Sequence, residues 1–350
     1  FQDMTHSLAT TDEARAQLLS DLSHEIRTPL ATLEAHIDGL EDGAARVGLA
    51  RQLAAQGARV GLLARREDRL LFDHQVKLAQ MLGYEDASFT LAVTPAEAAD
   101  TFVGAENGPA DKRAYGGHLA AQAFAAAGET LHPGLAPTSL HVQFLRGGDA
   151  GAPVHYEVQR VYDGRTTASR RVLARQDGRL LVTATASFVL PAAGPEHGEK
   201  PSAIEDPESL PRTGPIGPAP SLPLDEIDIR SVDDRSTGNF RRRMWWRVTV
   251  PLPDDPMLHA CAAVYVTDIY GIDPVLQVHG HSMIDRSHHT ATTDSSVWFH
   301  RPIRADRWNL LESESPAAAR GRGVMTGRLF DADGTLTATL VQEGLAVPRN

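Results

Sequence analysis

Two polar residues, Asp268 and Gln342, interrupt otherwise apolar patterns in this chain, and a third, Thr292, is placed to join them. Gln342 follows Leu336, Ala338 and Leu340 at period-two spacing, so an amide ends a strand face that is otherwise apolar. Burying an amide without a partner costs on the order of 1–3 kcal/mol, so Gln342 needs one. Asp268 shares a helical stripe with Cys261 and with Val264 or Tyr265, near the C-terminal end of an apolar helix. The macrodipole disfavours a negative charge there, so stability does not select this residue. The competing reading is a solvated carboxylate just past the last turn. Thr292 precedes a strand expected over residues 294–300 and can reach the same place. A carboxylate, a hydroxyl and an amide together can hold one water and take its proton as it attacks a carbonyl. That chemistry needs no metal and no cofactor. It is not Ser-His-Asp chemistry, and no Gly-x-Ser-x-Gly elbow occurs.

The elements that must carry these residues come from an internal repeat. Residues 139–146 alternate apolar and polar as a half-buried strand does, and strand-like runs follow at 154–162 and 166–175. An Asp177-Gly178 turn then leads to a run at 180–189. The same order returns from Ser296, through 308–313 and 323–330 to an Asp333-Gly334 turn and 336–341. Arg146 maps to Arg301 and Asp177 to Asp333, offsets of 155 and 156. Each copy has a helix ahead of its strands, at 115–129 and at 257–270. The first is entered through Gly116-Gly117, the second through Asp254 or Asp255 as N-cap with Pro256 at the first helical position. This spacing predicts an α+β fold in which each helix packs on a curled antiparallel sheet. The Pro-rich stretch from Pro191 to about Pro223 reads as a linker. Copy one has Ala186 where copy two has Gln342. It closes its helix with Phe124-Ala-Ala-Ala-Gly128, with no acid before Glu129. The polar set is a gain of the second copy.

Composition bounds the function. With 350 residues, 42% hydrophobic and 23% charged, the chain can bury a sizeable core, and its length gives a prior of two to three domains. A net charge of −11 argues against nonspecific binding to nucleic acid or to an anionic membrane. The single cysteine, Cys261, excludes an intrachain disulfide framework and a Cys-rich metal site. No apolar run reaches the roughly 20 residues of a membrane span. No secretory signal opens the sequence, and Val347-Pro348-Arg349-Asn350 is not a peroxisomal or retention address. A cytoplasmic protein is expected.

Residues 1–73 stand outside the repeat. Leu18-Leu-Ser-Asp-Leu-Ser-His24-Glu-Ile-Arg-Thr-Pro-Leu30 resembles the H-box of sensor histidine kinases, in which the histidine, here His24, accepts a phosphoryl group. No ATP-binding domain follows, so a non-catalytic helix is the simpler expectation. Residues 50–66, ending in Leu62-Leu63-Ala64-Arg65-Arg66, resemble a short-chain dehydrogenase segment. They lack the preceding strand and Gly-rich turn that a dinucleotide site needs.

The repeats carry a more extensive resemblance. Copy one contains Arg113-Ala-Tyr-Gly-Gly-His-Leu-Ala-Ala-Gln122, Ser139-Leu-His-Val-Gln-Phe-Leu-Arg146 and Asp163-Gly-Arg-Thr-Thr-Ala-Ser-Arg-Arg171. Copy two contains Val266-Thr-Asp268, Ala291-Thr-Thr-Asp-Ser-Ser-Val-Trp-Phe-His-Arg-Pro302, Arg320-Gly-Arg-Gly323 and Val341-Gln-Glu-Gly344. In this order, over residues 74–346, they resemble the acyl-CoA thioesterase II family. The resemblance implies a double hotdog fold and hydrolysis of fatty acyl-CoA to free acid and CoA. It implies Asp268 as general base, with Thr292 and Gln342 orienting water and the thioester carbonyl, and no cofactor. Acyl-CoA is the implied partner, and a homo-oligomer the implied assembly. Ser295 departs from the family, which commonly has His there, and residues 271–289 match it poorly. The domains expected are an extension at 1–73, hotdogs at 74–190 and 236–350, and a linker at 191–235, with the active site in the second hotdog.

Two alternatives stay open. A hotdog enoyl-CoA hydratase would carry an Asp/His dyad, but Ile269-Tyr270-Gly271 follows Asp268. A non-catalytic acyl-CoA-binding module fused to a signalling helix is the other. The group His279, His281, His288 and His289 lacks the fixed helix or hairpin spacing of a metal site, and no metal is expected. His300 reads as structural.

Overall fold

Period-two alternation dominates this chain after residue 92, and the strands it dictates build one sheet. In a computed structural model, residues 91–106, 108, 110, 112–213, 226–235 and 240–349 are described, all within one compact unit, Leu82–Asn350. The H-box with His24, the segment 50–66 and the expected helical extension lie outside the described residues.

The first half runs β1 (Val93–Pro95), β2 (Thr101–Gly104), α1 (Gly116–Gly128), β3 (Ala136–Phe144), β4 (Val154–Asp163), β5 (Thr167–Gln176) and β6 (Arg179–Val189). The second runs β7 (Ile227–Asp234), β8 (Arg241–Val248), α2 (Pro256–Thr267), α3 (Asp273–Gln277), β9 (His288–Phe299), β10 (Asn309–Ala319), β11 (Arg322–Asp331) and β12 (Leu336–Pro348). The sheet order is β1-β2-β4-β5-β6-β3-β9-β12-β11-β10-β8-β7, so the second half repeats the first in reverse across the β3–β9 seam. At that seam His141 pairs with Ser296, its own equivalent in the other copy, and His141 Nδ1 lies 3.0 Å from Ser296 Oγ. A pseudo-twofold axis passes between them.

The inward residues of β5 and β6, such as Val172, Val182, Ala184 and Ala186, are buried, and both strands pack on α1. Both helices are buried nearly all round, which explains their Ala-rich composition. They pack with opposite ends together. Gly117 lies against Tyr265 at one end and Gly128 against Met257 at the other.

The expected linker over 191–235 needs correction. Its last part, β7, pairs antiparallel with β8 from Ile227↔Val248 to Asp234↔Arg241 and completes the second half of the sheet. Ile227, Asp228 and Ile229 are all buried, so the short apolar-polar alternation of Ile227-Asp-Ile-Arg230 belongs to a strand with its acid buried too. The stretch after Gly271, which matches the family poorly, contains the short helix α3.

Candidate active site

Asp268 is the C-cap of α2, where its carboxylate meets the start of α1. That start is open: Tyr115, the N-cap, makes no side-chain capping bond. Its phenol instead donates to the Tyr265 carbonyl at 2.7 Å and ties the two helices together. The Gly117 backbone N–H donates to the Asp268 carboxylate. Two side chains join from the sheet. Thr292 Oγ1 donates to Asp268 Oδ1 at 3.2 Å, and Gln342 Nε2 donates to the same oxygen at 3.3 Å. Burial raises the Asp268 carboxyl to about 6, against the pull of these hydrogen bonds and of the Arg113 charge. An acid placed so is ready to take a proton near neutrality.

All three residues singled out in the sequence are thus brought together. Thr292 arrives by a route that strand periodicity does not give. Gln342 pairs with Ser295 and Glu343 with Asp294, but Gly344 pairs with Thr292, which leaves Thr293 bulged out of register. The bulge brings Thr292 onto the inner face; regular alternation from Ser295 and Val297 would have put Thr293 there. Thr292 also lies inside β9, not ahead of it.

Gln342, 1% exposed, stands behind Asp268 and orients its carboxylate. Its amide also donates to Ser295 Oγ at 3.2 Å, so the residue that departs from the family pattern is a member of the network. Gln342 Oε1 packs directly on Gly271, leaving no room for a Cβ there.

The site is not built by the second copy alone, contrary to expectation. Gly116 of copy one forms the wall opposite Asp268, because only a residue without Cβ admits the carboxylate so close, and Gly117 beside it leaves room for the Tyr265 carbonyl. The Gly116-Gly117 pair was the signal in the sequence. At the pseudo-symmetric end the arrangement is sealed. Asp255 caps α2 by accepting from Met257 N at 2.8 Å, and Met257 packs on Gly128. The residue equivalent to Asp268 is Glu129, the C-cap of α1, which is exposed.

A cavity of about 330 Å³ opens at Asp268 and Thr292. Its apolar wall includes Leu119, Phe144, Ile269, Ile272 and Met283. Four exposed arginines, Arg113, Arg146, Arg286 and Arg349, line it as well. The arginine ion pairs of the described residues are made elsewhere, with four of these arginines on β8: Arg241, Arg242, Arg243 and Arg247. Among the described residues no group of His, Cys, Asp and Glu could hold a metal; His281 and His288 are bridged by Ser287 instead. Also among them, no helix is long and apolar enough to cross a membrane. His300 Nε2 lies 2.9 Å from Thr339 Oγ1, outside the cavity.

Comparison with known proteins adds relatives to this geometry. Residues 105–189 match the acyl-CoA thioesterase N-terminal domain and residues 199–346 the acyl-CoA thioesterase C-terminal domain. The chain is 31% identical to acyl-coenzyme A thioesterase 8 of Homo sapiens over 67% of its own length and 80% of that protein. It is 30% identical to acyl-CoA thioesterase 2 of Haemophilus influenzae over 67% of its length and 87% of that protein. The solved structure of acyl-CoA thioesterase II TesB2 from Mycobacterium marinum superposes with a TM-score of 0.63 at 32% identity, covering 75% of this chain and 96% of that one. A hot dog fold protein from Alicyclobacillus acidocaldarius, 22% identical with a TM-score of 0.63 over 75% of this chain and 98% of that one, shares the fold. Residues 14–70 match the His Kinase A (phospho-acceptor) domain, and the segment 50–66 falls inside that match. A stretch covering 26% of the chain is 31% identical to the histidine-protein kinase BaeS of Escherichia coli, over 19% of that protein.

Proposed function

The chain belongs to the acyl-CoA thioesterase family, and we propose that its Asp268 carboxylate is the base in the hydrolysis of acyl-CoA. Water held by Asp268 and Thr292 adds its oxygen to the thioester carbonyl carbon, and its proton passes to the carboxylate. The tetrahedral adduct then expels the CoA sulfur, which takes a proton, and the carbon–sulfur bond is exchanged for carbon–oxygen. Gln342 holds the Asp268 carboxylate in place. The start of α1 offers its backbone N–H groups other than that of Gly117, which serves Asp268, and the positive end of a helix dipole to the developing oxyanion.

The observation that carries this reading is the part-buried Asp268 carboxylate, raised to about 6 and set between a hydroxyl, an amide and a helix start. The acyl chain takes the apolar wall, and the four arginines take the CoA phosphates. No histidine follows Asp268 to supply the hydratase dyad.

In the finer reading the fold is a double hotdog, preceded by an extension at 1–73 that takes no part in catalysis. The second half of the sheet begins at β7. The protein works in the cytoplasm as a homo-oligomer. Thiol release from a panel of acyl-CoA esters tests the function: steady release of CoA supports it. Saturable binding without release would make the protein an acyl-CoA-binding module, and hydration of an enoyl-CoA without thiol release would make it a hydratase.

A further inference from the structure

The turn that follows Asp268 holds an unusual backbone. Tyr270 has φ +62°, in the left-handed region that residues with a side chain rarely occupy. Such a conformation persists only where the surroundings hold it. The turn also delivers Gly271 to the back of Gln342 and Tyr270, Gly271 and Ile272 to the cavity wall. Whatever holds it therefore holds Asp268 as well.

One side chain does so from the far end of the sheet. Arg242 on β8 is 7% exposed and lies between two carboxylates and two aromatic rings, one of them Phe240 at 5.3 Å from its centroid. Its guanidinium forms a two-pronged pair with Asp233 on β7, at 2.7 and 2.9 Å. Its remaining prong donates to Asp273 Oδ2 at 2.8 Å. Its plane lies over the Tyr270 ring, 4.5 Å from the centroid. Asp273, 1% exposed, passes the hold onward: its Oδ1 accepts from Met283 N at 2.7 Å, and Met283 lines the cavity.

We propose that Arg242 is a positioning residue for catalysis, clamping the Asp268–Asp273 turn through Tyr270 and Asp273 and fixing the Met283 wall. The clamp rests on the reading of Asp268 as the base. It makes the edge strand β7 and its neighbour β8 part of what sets the Asp268 carboxylate against the water. A lysine cannot replace it, since a point charge lacks both the fork for Asp233 and the flat face for Tyr270.

Arg243 provides a matched control. It is the next residue on the strand, also 7% exposed, and doubly paired with Glu205 and Asp234. The test is kcat, KM and thermal unfolding of the full chain on acyl-CoA for Arg242→Met, Arg243→Met, Asp273→Asn and Asp268→Asn. Arg242→Met is expected to lower kcat on the order of 10²-fold, the cost of misplacing a reacting group by about an ångström, with a smaller change in KM. Arg243→Met is expected to lose stability while keeping kcat. Asp273→Asn keeps the shape, loses the ion pair and lowers kcat in the same direction, which serves if Arg242→Met does not fold. Normal kcat in folded Arg242→Met or Asp273→Asn, or an equal kcat loss in Arg243→Met, overturns the clamp. If Asp268→Asn is inactive while Arg242→Met is normal, the clamp alone fails. If Asp268→Asn is itself active, the assignment of the base fails and takes the clamp with it.

Discussion

The Asp268 carboxylate occupies space that a side chain on Gly116 would need: a Cβ at Gly116 falls 2.7 Å from Asp268 Oδ2. Base and helix start belong to different copies of the repeat, and their closeness depends on the absence of one methyl group. Gly116→Ala is therefore expected to push the carboxylate off its donors and lower kcat on the order of 10²-fold, while circular dichroism shows the fold retained. Unchanged turnover would mean that this approach is not used.

Removal of the base is the direct test of the mechanism. Asp268→Asn keeps shape and removes the proton acceptor, so kcat should fall by about 10²–10⁴-fold with KM little changed. Glu129→Gln, at the equivalent C-cap of α1, should leave both constants as they were. The opposite pattern in steady-state kinetics would put the site in the other half.

The raised pKa of Asp268 has two consequences of opposite use. Activity needs the carboxylate, so kcat/KM should rise with pH through an apparent pKa of about 6. Stability runs the other way: a folded value above the ordinary 3.8 favours the protonated form, so stability falls as pH rises from near 4 to 6 and stays lower above. Thermal unfolding of Asp268→Asn should accordingly lie above that of the parent at pH 7 and match it at pH 4. A parent-like melting curve at pH 7 would contradict the burial of a charge at this position.

The arginines lining the cavity should act on the phosphates and not on the chemistry. Arg146→Glu or Arg286→Glu is expected to raise KM for acyl-CoA several-fold at low salt, with the effect shrinking as salt screens it. The same variants should treat an acyl-pantetheine, which has no nucleotide, as the parent does. Equal losses on both substrates would assign these arginines to the acyl or pantetheine path.

Residues 1–73 contain no complete catalytic motif, so a chain beginning at His74 should hydrolyse acyl-CoA at the parent rate. A folded but inactive product would make the N-terminal segment part of the site.

The repeat made much of this legible in the sequence. Aligning the two copies exposes Gln342 against Ala186 and Asp268 against Glu129, because a duplicated fold serves as its own reference for what packing requires. The bulge at Thr293 was not legible, since it is one extra residue in a run of Thr and Ser that suits either face. The contribution of copy one was missed for a different reason: Gly116 and Gly117 act through backbone and empty space, and a search for polar side chains passes over both. The Arg242 clamp joins residues that are distant in sequence, through a strand with no alternation to announce it.

The two ends of the sheet differ from its middle in what they offer another chain. The β3–β9 seam uses up, within one molecule, the strand edges that two separate copies would have presented to each other. What is left is β1, three residues long and ending at Pro95, and β7, whose Asp233 and Asp234 are engaged by arginines. Short, proline-ended and charge-laden strands are poor templates for strand addition. Among the described residues, the aggregation hazard of a twelve-stranded sheet is therefore confined to two blunted ends.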